Sequence, residues 1–164
     1  MHRVTLAIIT ALLAGTARPG YGQTGELRIS AGVMTGMGAD GSPVKPVTAA
    51  SFSFVSRGFS FGPEVFYAFG DQRILGLGGV ARIRIASGRF HPYLVAGLGG
   101  NFWRTESFGT AGLFTGSLGA GIELARNNNL GMTMEGRAHK NLQNYSGEGN
   151  WDFISVAAGI RLGW

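Results

Sequence analysis

The residues best suited to catalysis are a histidine and a serine near the carboxyl end of the chain. His139 is followed by Ser146 and Glu148, and a histidine, a serine and a carboxylate are the residue types of a nucleophile–base set. The residues directly after His139 are Lys140 and Asn141, so no serine lies close to the histidine in the sequence. We therefore interpret His139 as a structural histidine and expect no catalytic residues.

Metal, cofactor and nucleic-acid sites are not indicated either. The chain has no cysteine and only three histidines, and the loop at 38–46 has one aspartate without a second ligand at calcium spacing. The glycine-rich runs at 76–79 and 97–100 lie inside strand-like segments, and no helix follows them that could bind a phosphate. The arginines alternate on one face with glutamates, unlike a nucleic-acid patch. We expect no metal, no cofactor and no nucleic-acid partner.

The composition indicates one domain with unusually little charge. The chain has 164 residues, of which 45% are hydrophobic and 14% are charged, whereas about 25% is the usual charged share. Glycine occurs 29 times without a collagen-like period. The net charge is +5. These values argue against a disordered tail and against a strongly solvated soluble protein.

The first residues have the layout of a secretory signal peptide. A short basic start precedes an apolar segment of 11 residues at 4–14, and small residues follow. That segment is too short for a transmembrane helix, which needs about 20 residues. Cleavage is possible after Ala17 or after Gly22, and we favour Gly22. Residues 1–22 are then the signal peptide and residues 23–164 form one domain.

Apolar and polar residues alternate along the rest of the chain, which is typical of β-strands with one apolar face. In the segment 89–103 every even position is apolar, from Phe90 to Phe102, and the odd positions are mixed. No segment keeps the i, i+3, i+4 spacing of a helix. We predict eight strands at 26–34, 50–56, 59–69, 75–85, 89–103, 113–124, 130–139 and 153–164.

The predicted connections alternate in length. Short turns at 57–58, 87–88 and 127–129 contain glycine or asparagine, which tolerate positive φ. Most of the other connections are longer and polar, and only 70–73 is short. Pro63 lacks a backbone N–H and is a candidate bulge within its strand. Short turns at one end and long loops at the other are typical of outer-membrane barrels. The predicted long loops are 35–48, 105–112 and 141–150.

The placement of charge indicates which face is outside. Ionisable residues in the strands, His139 included, share the mixed face, while Lys140 and Asp152 fall on the apolar side only at loop ends. Charge at the bilayer centre costs about 2–4 kcal/mol for arginine, so we predict that the apolar face meets lipid. The mixed face then lines a closed lumen in which charges pair. The predicted lumen charges are Glu26, Arg28, Glu64, Arg82, Arg84, Glu123, Glu135, Arg137 and Arg161.

The predicted strands also have the length and the aromatic ends of membrane strands. A strand of about 10 residues tilted by ~45° rises about 23 Å, close to the ~25 Å apolar band of outer-membrane barrels. The sequence thus predicts an all-β fold, an eight-stranded antiparallel up-and-down transmembrane β-barrel. The expected interfacial aromatic residues are Phe59, Tyr67, Phe69, Phe90, Phe102, Trp103, Trp151 and Trp164.

Three stretches, at 91–102, 116–137 and 159–164, resemble strands of the OmpA-like and OmpX-like family of eight-stranded outer-membrane β-barrels. The resemblance covers roughly residues 25–164. It implies a location in the bacterial outer membrane and insertion by the barrel-assembly machinery. It implies no shared activity, because a fold does not fix function. The terminal assembly signal departs from the family at Ala157, where a polar residue is usual; its matching residues are Gly159, Leu162 and Trp164.

These patterns favour a non-enzymatic outer-membrane barrel with a structural or surface-interaction role and a closed charged lumen. The expected partners are outer-membrane lipid, the assembly machinery and surface ligands of the long loops. One alternative is a secreted, soluble lipocalin-like barrel that binds a small apolar ligand with its apolar face inward. A second is a lipid A-modifying enzyme, since lipid A deacylases are also small barrels. Their His-x-Ser-Asn run is absent here, where Asn141 stands at the serine position.

Overall fold

The computed structural model describes residues 24–37, 43–86, 89–105, 109–125, 129–143 and 152–164. The predicted signal peptide at 1–22 lies outside the described residues, as do Ser146 and Glu148. No helix in the described ranges is long and apolar enough to cross a membrane.

Eight antiparallel strands close into one barrel in chain order, with β1 hydrogen-bonded to β8. The predicted fold class is confirmed. The strands are β1 (Thr24–Gly36), β2 (Lys45–Ser56), β3 (Phe59–Ala68), β4 (Gln72–Arg84), β5 (Phe90–Thr105), β6 (Gly109–Ala125), β7 (Leu130–Asn141) and β8 (Phe153–Gly163).

The strands are staggered, and the stagger fixes which side chains meet inside the barrel. Stepping from Thr24 through paired residues returns to β1 at Met34, ten residues further on. With about 3.3 Å per residue and about 4.8 Å between strands, this shift tilts the strands by about 40°. That tilt lies in the range of transmembrane barrels. The intermediate steps are Val55, Ser60, Arg82, Val95, Gly119, Arg137 and Ser155.

The two ends of the barrel differ. One end, here the turn end, carries the start of β1, the end of β8 and the connections 57–58, 85–89 and 126–129. The other, the loop end, carries 37–44, 69–71, 106–108 and 142–152. Short turns of outer-membrane barrels face the periplasm, so the loop end is the extracellular one.

Two strands begin earlier than their alternation predicts. β2 starts at Lys45 instead of residue 50, and β6 starts at Gly109 instead of residue 113. The predicted loops 35–48 and 105–112 were therefore wrong in extent, and the β5–β6 connection comprises only 106–108. Backbone pairing continues beyond the apolar band, where side chains need not alternate between lipid and lumen. The pattern of apolar residues consequently stops before the strand does.

The tight β2–β3 turn fits its sequence. Arg57 and Gly58 have φ values of 46° and 84°, and two positive values mark a type I′ hairpin turn. The bulge considered at Pro63 does not form. The pairs Ser51–Glu64 and Phe54–Phe61 keep one register on either side of it, so the proline only interrupts the pairing.

The barrel is apolar outside and polar over most of its inside. Leu118 and Met132 on the outer face are 69% and 67% exposed, whereas Glu26 and Glu123 on the inner face are each 1% exposed. This is the predicted orientation. The apolar-inward arrangement of a lipocalin-like barrel is not found. An antiparallel barrel with this exterior is an outer-membrane protein, because hydrocarbon accepts only a closed sheet with an apolar outer surface.

At several places two neighbouring strands lie too close together for a side chain on the inner face. A Cβ atom built on Gly32 would lie 2.0 Å from the carbonyl oxygen of Val156, so β1 and β8 approach closely there. A Cβ atom on Gly79, which is on the outer face, meets nothing within 4 Å.

We expect Gly32→Ala to destabilise the barrel by about 1–3 kcal/mol, because its backbone neighbours must shift. Gly79→Ala is the matched control and should leave stability unchanged. The measurement is urea unfolding in detergent micelles, followed by tryptophan fluorescence. Equal unfolding midpoints for the two variants would contradict the close approach of β1 and β8.

Candidate functional site

A group of charges fills the inside of the barrel near the turn end. Glu26 and Arg28 are two residues apart on β1 and therefore point to the same face. The Nε atom of Arg28 lies 3.0 Å from Glu26 Oε1, and its Nη2 lies 2.9 Å from Glu123 Oε2 on β6. We call this group the lower charge cluster, and its members are Glu26, Arg28, Arg84, Glu123 and Arg161.

Arg84 and Arg161 complete the lower charge cluster from β4 and β8. Arg84 Nη2 lies 3.2 Å from Glu26 Oε2, and Arg161 Nε lies 2.8 Å from Glu123 Oε1. The cluster thus holds three guanidinium groups and two carboxylates. Its surplus positive charge is accommodated at Arg84, whose side chain is 25% exposed towards the turn end.

A second group, the middle charge cluster, consists of Glu64, Arg82, Glu135 and Arg137. Arg137 donates to both oxygens of Glu64, at 2.6 Å and 2.7 Å, in the fork geometry of a strong ion pair. Arg82 Nε donates to Glu135 at 3.0 Å, and Arg82 Nη2 donates to Glu64 at 3.2 Å. Arg137 also contacts Glu135. With two carboxylates and two guanidinium groups, the middle charge cluster has no net charge.

Tyr93 and several glycines fill the space around the clusters. The Cζ atom of Arg28 lies 5.1 Å from the centre of the Tyr93 ring, a cation–π contact. Tyr93 occupies the space beside Gly121, where a Cβ atom would lie 2.4 Å from the ring. Likewise, a Cβ atom on Gly119 would lie 2.9 Å from Arg137. Glycine on the inner face therefore makes room for large inward side chains.

Uncharged polar side chains lie above the middle charge cluster. Asn101 donates to Thr115 Oγ1 at 2.8 Å, and Thr115 donates to Asn141 Oδ1 at 2.9 Å. Two residues from Asn141 on β7, His139 places its Nε2 atom 3.0 Å from Ser155 Oγ on β8. Sequence reasoning did not identify Ser155 as the partner of His139. The register places it there, because β7 and β8 pair His139 with Phe153, and Ser155 lies two residues further along β8 on the same inner face.

Apolar side chains fill the inside of the barrel near the loop end. Trp103 is only 7% exposed and packs edge-on against Phe153, with ring centres 6.1 Å apart. The predicted place of Trp103 in an outer aromatic girdle was wrong, because its odd position in β5 points inward. We call this group the apolar plug; its members are Met34, Val47, Ala68, Ile74, Trp103, Leu113 and Phe153.

The remaining predicted residues lie at the barrel seam and the rims. Trp164 exchanges two backbone hydrogen bonds of 3.0 Å with Gly25, which joins the chain end to β1. Gly159 approaches the carbonyl oxygen of Ile29, and Leu162 is exposed on the outer face. Asp152 is buried and accepts a hydrogen bond of 2.9 Å from the Asn141 backbone, so it does not point outward as expected.

The arrangement offers little space for a bound molecule inside the barrel. Three interior cavities between the described side chains have volumes of about 30, 20 and 40 Å³, enough for a water molecule or two each. His91 lies 3.8 Å from Glu123 at the turn end, far along the barrel from His139. The described part of the chain contains no group of three or more side chains able to hold a metal ion.

The fold matches solved outer-membrane barrels. Neisserial surface protein A has 15% sequence identity and a TM-score of 0.72, covering 88% of this chain and 99% of that one. The N-terminal β-barrel domain of Pseudomonas aeruginosa OprF has 12% identity and a TM-score of 0.66, over 85% and 97%. The outer membrane enzyme PagL has 15% identity and a TM-score of 0.53, over 84% and 98%.

The sequence itself matches no protein-family model. No curated protein matches it either. The similarity is therefore one of fold, and it extends over nearly the whole length of each solved barrel.

We expect Arg137→Met to destabilise the barrel by about 3–5 kcal/mol, because Glu64 then loses its fork partner inside the lumen. Arg89→Met is the control, since Arg89 is an exposed arginine at the turn end. Samples are heated to a series of temperatures and run on a gel, where the folded and the unfolded barrel migrate differently. The temperature at which half of the protein runs in the unfolded band is compared between the two variants. Adding Glu64→Gln to Arg137→Met should recover part of the loss, and equal midpoints for Arg137→Met and Arg89→Met would contradict the ion-paired interior.

Proposed function

We propose that this eight-stranded outer-membrane β-barrel is a non-enzymatic integral membrane protein with a closed lumen. Its contacts with other molecules are made by the outer wall and the loop end. The observation that carries this proposal is the filling of the lumen by the lower charge cluster, the middle charge cluster and the apolar plug. Eight strands give an interior just wide enough for side chains to fill.

Closure follows from two barriers in series. An ion entering from the loop end first meets the apolar plug, in which the indole N–H of Trp103 is the only side-chain polar group, so its water is not replaced. It then meets guanidinium and carboxylate groups already paired at 2.6–3.2 Å in the middle charge cluster. Opening a path requires these pairs to separate in a place with little water, which costs several kcal/mol.

The absence of catalysis is proposed from the position of His139. Its ring is stacked on Phe153 with centres 4.2 Å apart, and the residue is 6% exposed. The contact with Ser155 is thus inside the lumen, behind the apolar plug, on the side of the wall away from lipid. The outer membrane enzyme PagL shares the fold, so the fold alone does not decide the matter.

Two further contacts are proposed from the barrel ends. The assembly machinery recognises Gly159, Leu162 and Trp164. The side chains of Leu162 and Trp164 are exposed at the carboxyl end of β8, which supports this role. Surface ligands bind at the loop end, where the longest connections are 37–44 and 142–152.

We expect purified protein to give no conductance steps in a planar lipid bilayer, because the lumen is filled. The variant Trp103→Ala with Glu64→Ala and Arg137→Ala removes the largest plug residue and one ion pair and should conduct. A heat-modifiable band must first show that both proteins are folded. Steps of equal size from the wild type and the variant would contradict a closed lumen.

We expect no release of fatty acid when the purified protein is incubated with lipid A in detergent, because His139 and Ser155 do not reach the lipid side of the wall. Released acyl chains measured by mass spectrometry would contradict the proposal. Loss of that release in His139→Ala would then assign the activity to this histidine.

A further inference from the structure

The turn end of the barrel carries more positive charge than its carboxylates neutralise. The carboxylates among the described residues of this end are those of Glu26 and Glu123. Each is 1% exposed and already ion-paired inside the lower charge cluster, so the described part of the turn end has no exposed carboxylate. Five arginines lie at the same end: Arg28, Arg57, Arg84, Arg89 and Arg161.

The opposite end of the barrel has mixed charge. Asp71 is exposed there, two residues from Arg73, and it lies close enough to Lys45 to interact with it electrostatically. Within the described ranges, exposed arginines without an exposed carboxylate beside them are therefore a property of the turn end. An excess of one sign of charge on one surface attracts a partner of the opposite sign.

Arg57 has a backbone conformation that does not favour arginine. Its φ of 46° lies in the left-handed region, and asparagine, aspartate or glycine is preferred at this position of a type I′ turn. The turn geometry therefore does not account for an arginine there. The residue is exposed, beyond the last pair of β2 and β3, and its side chain extends from the rim of the barrel.

Arg84 lies next to this turn. Its backbone N–H donates to the carbonyl oxygen of Gly58 at 2.8 Å, and its Cβ atom lies 3.9 Å from the Cβ position of Gly58. Its Nη2 atom lies 3.2 Å from Glu26 and 3.6 Å from Glu123, and the rest of the side chain is 25% exposed. The guanidinium groups of Arg57 and Arg84 are thus within reach of one anionic group.

The position of Arg84 decides from which side an anion reaches it. Arg84 is on the inner face, so its exposed part opens along the barrel axis at the turn end, which faces the periplasm. The lipid headgroups of the inner leaflet surround the outer wall and lie to the side of this opening. A partner that contacts Arg57 and Arg84 together therefore approaches from the periplasm.

We propose that the turn end binds an acidic peptide segment of a periplasmic partner. One carboxylate contacts Arg57 and Arg84, and further carboxylates of the same segment lie towards Arg89. Arg89 is four residues from Tyr93, which pairs with Arg84, so it lies about 13 Å further along β5. A single small anion does not span this distance, whereas an extended peptide with several acidic residues does.

This binding surface is separate from the contacts proposed for the outer wall and the loop end. It requires only that the turn end faces the periplasm. A conducting lumen or an active His139 would leave it unchanged.

The test is the fluorescence anisotropy of a fluorescein-labelled hexaglutamate peptide, titrated with the full-length mature protein in phosphatidylcholine nanodiscs at low salt. We expect hexaglutamate to bind and hexaglutamine not to bind. Arg57→Asn should weaken the binding of hexaglutamate about fivefold, the contribution of one exposed basic residue beside an anionic partner. Asparagine suits the type I′ turn, so this variant removes the charge without weakening the fold.

Two double variants test whether the place of the charge matters. Arg57→Asn with Arg84→Gln removes two positive charges at the turn end and should weaken binding about twentyfold. In this variant Glu26 keeps Arg28 as its partner, so the barrel should still fold and show its heat-modifiable band. The control is Arg73→Gln with Arg104→Gln, which removes two exposed arginines at the loop end and should bind like the wild type.

A third comparison distinguishes the peptide from lipid. In nanodiscs that also contain phosphatidylglycerol, the wild type should still bind hexaglutamate more tightly than the turn-end double variant does. Loss of this difference would assign the arginines to lipid headgroups and overturn the proposal. It is also overturned if hexaglutamate does not bind the wild type, or if the two double variants bind it equally.

Discussion

Ionised side chains are stable inside this barrel because carboxylates and guanidinium groups from six strands lie against one another. The lower charge cluster and the middle charge cluster together hold four carboxylates and five guanidinium groups. Removing one member would leave a buried ion without its partner, and that penalty is larger than the net value of the pair. The apolar outer wall follows from the same constraint, because strand side chains alternate between the lumen and the outer face, and within the apolar band the outer face meets hydrocarbon.

Much of the fold could be predicted because a strand has a period of two. Once charge is confined to one face, the parity of a residue decides whether it points to lipid or to the lumen, and Glu26 and Leu118 obey this rule. Parity also places Trp103 inside, where the structure has it, but its aromatic character and its place near a strand end led to the prediction of an outer girdle. The apolar plug was missed for that reason.

The partners of each charge could not be predicted, because they depend on the stagger of the strands. The shift of ten residues around the barrel brings Glu123 of β6 to Arg28 of β1 and Arg161 of β8. Sequence alternation contains no information about this shift, since any even shift preserves the faces. The starts of β2 and β6 were likewise hidden, because beyond the hydrocarbon a strand needs backbone pairing but no apolar face.

The lower charge cluster links the two ends of the polypeptide. Arg28 lies near the start of the barrel and Arg161 near its end, and both require the carboxylate of Glu123. An incomplete sheet that lacks β8 would leave Glu123 short of a partner and the edge of β1 unpaired. The lower charge cluster is therefore complete only when β8 has paired with β1. A chain truncated before residue 153 cannot close the barrel and therefore has no stable folded state. We expect cellular quality control to degrade it.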